Sequence, residues 1–166
     1  MLAWNQCLVA DENSDEVIEI LTLGDSITQA ESNRASFRYP LWKKLIDAGI
    51  NFDFVGSMDN QFSQYNKGTP PHYDYKGHKF DRDHEGHFAW SADEIIRGRN
   101  YDNGSGSGRL QDWLTEYDVD IALIHLGTND AFMQQDNQTT SKELESIVSL
   151  LREDNPRVII LLARLI

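Results

Sequence analysis

Apolar and polar residues follow one another along this chain in two rhythms, and the change from one to the other marks its elements. Val17-Ile-Glu-Ile-Leu-Thr-Leu23 is a short β-branched and apolar run closed by Gly24, the pattern of a buried strand feeding a turn. From Phe37 to Ala48 the period lengthens: Phe37, Leu41, Trp42, Leu45 and Ile46 share one helical face, and Lys43, Lys44 and Asp47 fall on the other. Pro40 suits the first turn of that helix and Gly49 its end. Phe52-Asp-Phe-Val-Gly56 reads as a second strand, so strand, helix and strand form a right-handed parallel βαβ unit.

Between Ser57 and Phe88 the periodicity is lost and Asp, His, Gly, Tyr and Asn dominate, including Thr69-Pro-Pro-His72. A connection of that length in a compact domain is expected to be irregular and to carry functional contacts. Ala92 to Gly98 reads as a short helix, Asn103-Gly-Ser-Gly-Ser-Gly108 as a flexible loop, and Arg109 to Tyr117 as a further helix. Val119-Asp-Ile-Ala-Leu-Ile-His-Leu126 is a third strand, again closed by glycine, Gly127. Ser141 to Glu153 is an amphipathic helix with Leu144, Ile147, Val148 and Leu151 on one face, and Arg157 to Ile166 is a fourth strand. The chain ends on Leu165 and Ile166 within what reads as a central strand, so a fragment of a larger domain is expected: an extension over 1–16 and the domain over 17–166, cut short.

Composition narrows the partners. With 166 residues and a formal net charge of −12, the surface repels phosphate backbones, which argues against nucleic acid and against anionic membranes. No apolar run approaches the roughly eighteen residues that would span a bilayer. The single cysteine, Cys7, has no partner for an internal disulfide. Met1 to Ala10 lacks a basic start and carries Asn5-Gln6, which argues against a secretory signal. The sequons Asn103-Gly-Ser105 and Asn137-Gln-Thr139 are short enough to arise by chance.

Chemistry concentrates at two strand ends. In a parallel α/β sheet the ligand crevice lies beyond the carboxyl ends of the strands, and Leu23-Gly24-Asp25-Ser26-Ile27-Thr28-Gln29 places a serine there. Gly127-Thr128-Asn129-Asp130 places an asparagine at the end of the third strand. A serine can attack an ester and an asparagine amide can hold the resulting oxyanion, one such donor being worth roughly 2.7–4 kcal/mol of barrier. Read singly, the first is a polar turn with a capping serine and the second an Asx turn opening a helix.

Together the two tetrapeptides, about a hundred residues apart and each after a strand, closely resemble the SGNH hydrolase superfamily, the GDSL lipases and esterases. Gly24-Asp25-Ser26-Ile27 matches its first motif and Gly127-Thr128-Asn129-Asp130 its third. His84-Glu85-Gly86-His87-Phe88-Ala89-Trp90 resembles its middle motif in the His-Glu-Gly form of carbohydrate-esterase-like branches, with Ala89 where a second glycine is expected. An alanine keeps its backbone N–H in the oxyanion hole only if its φ is negative. The resemblance implies a three-layer α/β sandwich, flavodoxin-like, with four of about five parallel strands present. It implies hydrolysis of a carboxylic ester, such as an acetyl group on a carbohydrate, through an acyl-serine and without cofactor or metal. Ser26 would attack; Asn129 and the backbone N–H groups of Ser26 and Ala89 would hold the oxyanion; Asp25, Gly86, Trp90 and Gly127 would shape the substrate site. The family's closing Asp-x-x-His, whose histidine takes the serine proton, does not follow Asn129 in this sequence.

Several features invite other readings. Asp81-Arg-Asp-His84 has the dyad spacing but precedes the middle motif, and Asp81, Asp83, His84, Glu85 and His87 lack a metal-ligand signature. The Gly-Ser loop follows no strand and is no phosphate loop, and His125, inside a strand, reads as a satisfied core histidine. Tyr65, Tyr73, Tyr75, Phe80, Phe88 and Trp90 could stack on a sugar, although cover over a loop is the better reading. The rivals to the enzyme are a carbohydrate-binding module on the same scaffold and an inactive truncated fragment.

Overall fold

The computed structural model describes residues 16–31, 36–62, 74–100 and 105–164. In chain order the elements are β1 (Ile18–Gly24), α1 (Ser26–Gln29), α2 (Arg38–Asp47), β2 (Phe52–Val55), β3 (Glu85–Gly86), α3 (Ala92–Arg97), β4 (Arg99–Asn100), β5 (Ser107–Gly108), α4 (Leu110–Trp113), β6 (Ile121–His125), α5 (Thr128–Phe132), α6 (Asn137–Asp154) and β7 (Ile159–Leu162). The strands pair in parallel in the order β2-β1-β6-β7. β1 lies inside that sheet, which is why its residues from Ile20 onward are buried on both faces.

Alternation along the strands sends side chains to two cores. Leu21, Leu23, Ala122 and Ile124 join Trp90, Ile95, Leu110, Trp113, Ile147 and Leu151, contributed by α3, α4, α6 and the turn before α3. Ile20, Ile121 and Leu123 face the other way, against Trp42 of α2 and Phe54. A parallel sheet with helices on both faces is the α/β architecture expected from the hydrophobic pattern. Among the described residues no helix is long and apolar enough to cross a membrane.

Some boundaries differ from expectation for identifiable reasons. The connection after Ser57 is not wholly irregular: Glu85 and Gly86 pair with Leu23 and Gly24 at the carboxyl end of β1, and Met58 bridges His84. The long helix starts at Asn137, four residues early, because the Asp136 carboxylate accepts the Thr139 N–H at 3.0 Å and caps it. The helix expected over Arg109 to Tyr117 is a single turn, Leu110–Trp113, and the third and fourth strands are shorter than their apolar runs. Residues 1–15, Thr69-Pro-Pro-His72, Tyr65, Tyr73, Asn103, Leu165 and Ile166 lie outside the described residues.

Candidate active site

β1 and β6 are parallel neighbours with Gly24 opposite His125, so the turns that follow them leave the sheet side by side. Ser26 opens α1, half-buried, directly after its cap Asp25. The Asp25 carboxylate accepts the Ile27 N–H at 2.9 Å, and burial holds it above the usual carboxylate range. Neither the Ser26 hydroxyl nor its N–H has a hydrogen-bond partner among the described residues. Gly24 is required by close approach: a Cβ there would stand 2.1 Å from Thr28 Oγ1 and 2.7 Å from the His125 carbonyl.

Asn129 lies in the first turn of α5, which begins after Gly127 in the left-handed region, φ 104°. Its Nδ2 donates to the Trp90 carbonyl at 2.7 Å. An amide nitrogen carries two hydrogens, so one orients the side chain and the second remains for a ligand. Asp130 is fully buried and accepts the Ala92 N–H with both oxygens at 3.2 Å, which ties α5 to the start of α3.

The segment 84–90 runs between these turns. Gly86 packs where a Cβ would meet Gln29 N at 2.4 Å, and Phe88 N–H donates to Gln29 Oε1 at 2.8 Å. Ala89 is exposed, its N–H unpaired among the described residues, and its φ is +63°. The requirement of a negative φ is therefore corrected: this alanine takes the left-handed conformation of the expected glycine, at a cost of roughly 1–2 kcal/mol, so its N–H keeps the direction that a glycine there would give it. Hydrogen bonds on both sides, at Phe88 and at Trp90, fix that conformation.

Trp90 is placed otherwise than expected. Its side chain is 0% exposed and stacks on His87 at 4.4 Å between centroids, so it has no face for a sugar; its contribution is the carbonyl that holds Asn129. Of the other described aromatics in that set, Phe88 packs between loops, whereas Phe80 and Tyr75 cover α2 and the second core. Phe88 stacks on Phe62 at 3.7 Å, Phe80 packs on Tyr39 and Trp42, and Tyr75 donates its hydroxyl to Asp47 beneath Lys43 and Lys76.

The early dyad is not assembled. His84 Nδ1 accepts the Gly86 N–H at 2.8 Å, so Nε2 carries the proton and donates to the Asn60 carbonyl at 2.8 Å. Burial, helped by the nearby Arg38 cation, keeps this imidazole neutral, its pKa well below the ordinary value. Asp81 accepts from the N–H groups of Phe54 and Asp83 instead. His125 is also not a satisfied core residue: it is half-buried, its Nδ1 has no partner among the described residues, and it lines a cavity of about 460 Å³ with Ile27, Phe37, Leu123 and Leu161.

Arg38 is a site residue that pattern reading misses. Its buried guanidinium donates to the carbonyls of Thr28 at 3.0 Å and Arg82 at 2.8 Å and to the Ser36 hydroxyl at 3.1 Å, bracing the turn after Ser26 against the strap that leads to His84. Its position on an otherwise apolar helix face, after Phe37, is the signal in the sequence.

Similarity to known proteins agrees with this geometry. A multidomain esterase of Ruminococcus flavefaciens is 29% identical over 146 residues, which are 84% of this chain and 18% of that protein. A carbohydrate esterase family 3 structure from Talaromyces cellulolyticus superposes with a TM-score of 0.64 at 29% identity, over 88% of this chain and 61% of that one. The structure of an acetyl esterase serine-to-alanine mutant with an acetate ion gives 0.64 at 28% identity over the same shares. The chain thus spans about three-fifths of these solved relatives and under a fifth of the multidomain one. The family model of the GDSL-like lipases and acylhydrolases matches residues 22–166, which takes in all three motif segments, and the chain belongs to that family.

Proposed function

We propose that this protein is a serine ester hydrolase that removes an acetyl group from a carbohydrate through an acyl-serine intermediate. What supports the reading is that the three motif segments meet at one end of the sheet, Gly86 beside Gly24 and Asn129 bonded to the Trp90 carbonyl, where the Ser26 hydroxyl and the N–H groups of Ser26 and Ala89 have no hydrogen-bond partner among the described residues and the second Nδ2 hydrogen of Asn129 is a further donor. Ser26 Oγ attacks the ester carbonyl, the carbonyl oxygen takes up negative charge, and these donors stabilise it in the transition state. The alcohol leaves with a proton, and water then releases acetate from the serine. The small acyl group and the carbohydrate are supported by the acetyl esterase and carbohydrate esterase relatives.

The proton on Ser26 needs a base. The family resemblance gives that task to an Asp-x-x-His motif, which does not occur after Asn129 in this sequence. The test is therefore made on the full-length gene product: hydrolysis of an aryl acetate and acetate release from an acetylated xylo-oligosaccharide, for wild type and Ser26→Ala. Loss of turnover in the variant, by at least about a thousandfold, supports the assignment. Equal rates overturn it, and saturable sugar binding without turnover would move the protein to the binding class.

A further inference from the structure

Behind the turn that carries Ala89 lies a polar cluster with no role in the reaction just described. The side chains of Glu85 and His87 are both 0% exposed, and His87 Nε2 lies 2.7 Å from Glu85 Oε2. His87 Nδ1 lies 2.9 Å from the Ser105 carbonyl. A carbonyl oxygen can only accept, so Nδ1 must carry a hydrogen. If it carried the ring's single hydrogen, Nε2 would present a lone pair to a carboxylate oxygen at 2.7 Å. A second proton must therefore sit between ring and carboxylate.

The remaining bonds say which partner holds it. Glu85 Oε1 accepts the Ser57 N–H and the Tyr117 hydroxyl, the latter at 2.8 Å, and Oε2 also accepts the Ser57 hydroxyl at 3.1 Å. Three donors besides the imidazole converge on one carboxyl group, an arrangement that favours the anion and leaves the charge on the ring. Burial and the Glu85 charge raise the Tyr117 phenol far above its ordinary range, so it stays a donor. The Trp90 and Trp113 rings stack on the imidazole at 4.4 and 4.6 Å, favourable surroundings for a cation. Among the described residues His84, held neutral, also lies near the pair, with the Arg38 and Arg82 cations beyond it, and the Glu116 carboxylate faces Tyr117.

We propose that Glu85 and His87 form a buried carboxylate–imidazolium pair whose task is to position the oxyanion donors. The link is continuous. His87 N–H donates to the Gly24 carbonyl at 2.9 Å, two residues before Ser26, and its carbonyl accepts the Trp90 N–H at 3.2 Å, closing the turn that holds Ala89. The Trp90 ring rests on the imidazole while the Trp90 carbonyl holds the Asn129 amide. The carboxylate meanwhile ties this turn to Ser57 after β2 and to Tyr117 before β6. Glu85 and His87 act through other residues and touch no substrate; they are positioning residues, and this role rests on the reading of Ser26 and Asn129 given above.

The experiment is nitrogen-15 NMR of histidine- and asparagine-labelled full-length protein, with steady-state kinetics, for wild type and Glu85→Gln. The wild type is expected to show both His87 nitrogens protonated. Glu85→Gln is expected to show one protonated nitrogen, faster exchange of the Asn129 side-chain amide, and a kcat lowered by about tenfold to a hundredfold with KM little changed. A neutral His87 in the wild type overturns the pair. An imidazolium that is lost in Glu85→Gln without change in Asn129 exchange overturns the positioning role. Should Glu85→Gln not fold, Tyr117→Phe removes one of these three donors, and the same two readouts must move in the same direction. Because the nitrogen signals and the amide exchange need no turnover, they decide the proposal even if the protein proves not to hydrolyse esters.

Discussion

The two flanks of Ser26 are built differently. Toward β3 and α3, backbone packs on backbone at Gly86, Gly24 packs on the Thr28 side chain, and Arg38, Gln29, Asn129 and Asp130 each bridge separate segments. Toward β7 the surface is apolar and open: Leu161 is 58% exposed and Leu162 49%, and with Ile27, Phe37 and His125 they line the 460 Å³ cavity. An oxyanion hole works only if its donors are already in place when charge appears, because reorganising them would consume the stabilisation they provide. The laced flank meets that demand, while the open flank offers apolar surface and one imidazole nitrogen without a partner among the described residues.

The largest expected effect comes from adding one methyl group to the laced flank, set against a polar substitution on the open one. In Gly86→Ala the new Cβ would lie 2.4 Å from Gln29 N and 2.8 Å from Thr28 C, backbone that cannot yield without parting β3 from β1. A loss of roughly 3 kcal/mol or more is expected in urea unfolding. Leu161→Ser in the same 166-residue chain, on its open flank, should stay within about 0.5 kcal/mol. Similar midpoints for the two would erase the contrast.

Asn129→Ala separates geometry from stability on the laced flank. The residue is half-buried, and among the described residues its amide has one hydrogen bond, to the Trp90 carbonyl. Removing it should lower kcat by about a hundredfold to a thousandfold with little change in KM, and should cost only about 1 kcal/mol in stability. A drop in stability with unchanged kcat would make Asn129 a scaffold residue and move the oxyanion hole elsewhere.

How much of this was legible in the sequence depends on the range of each interaction. The strands and the helices α2, α3 and α6 are readable because burial on one face or two leaves a period in the sequence. Gly24, Ser26 and Asn129 are readable because a strand followed by a small-residue turn puts chemistry in the crevice. The pairing of Glu85 and Gly86 with β1 is not, since two residues carry no period and the pairing depends on Gly86 meeting Gln29, 57 positions earlier. Trp90 misleads for a related reason. An aromatic beside a motif looks like a sugar platform until His87 and Trp113 are seen to enclose it. The left-handed Ala89 likewise depends on bonds to Gln29 and Asn129 that no local pattern announces.

The smallest effect asks what the lacing costs. Asp81 fixes the strap before His84 by accepting the N–H groups of Phe54 and Asp83, but burial raises its carboxyl to about 6. The folded state therefore binds this proton more tightly than the unfolded chain does. The resulting stability is fully present below the unfolded value of 3.8 and is lost as pH rises through about 6. In Asp81→Asn the side chain is neutral throughout, at the expense of one acceptor, so the variant differs from wild type by an offset plus this titration. Its stability relative to wild type should rise by about 1–2 kcal/mol between pH 4 and pH 7, the full linkage being reduced by solvent screening of this partly exposed carboxyl, read from urea unfolding at steps across that range. His84, whose depressed value removes stability as pH falls below about 6.5, acts equally in both proteins and cancels in the difference. A pH-independent difference would mean that Asp81 is ionised in the fold at no cost and that the strap is held without electrostatic strain. A difference that grows as expected would mean that the flank serving the oxyanion is ordered against its own charge.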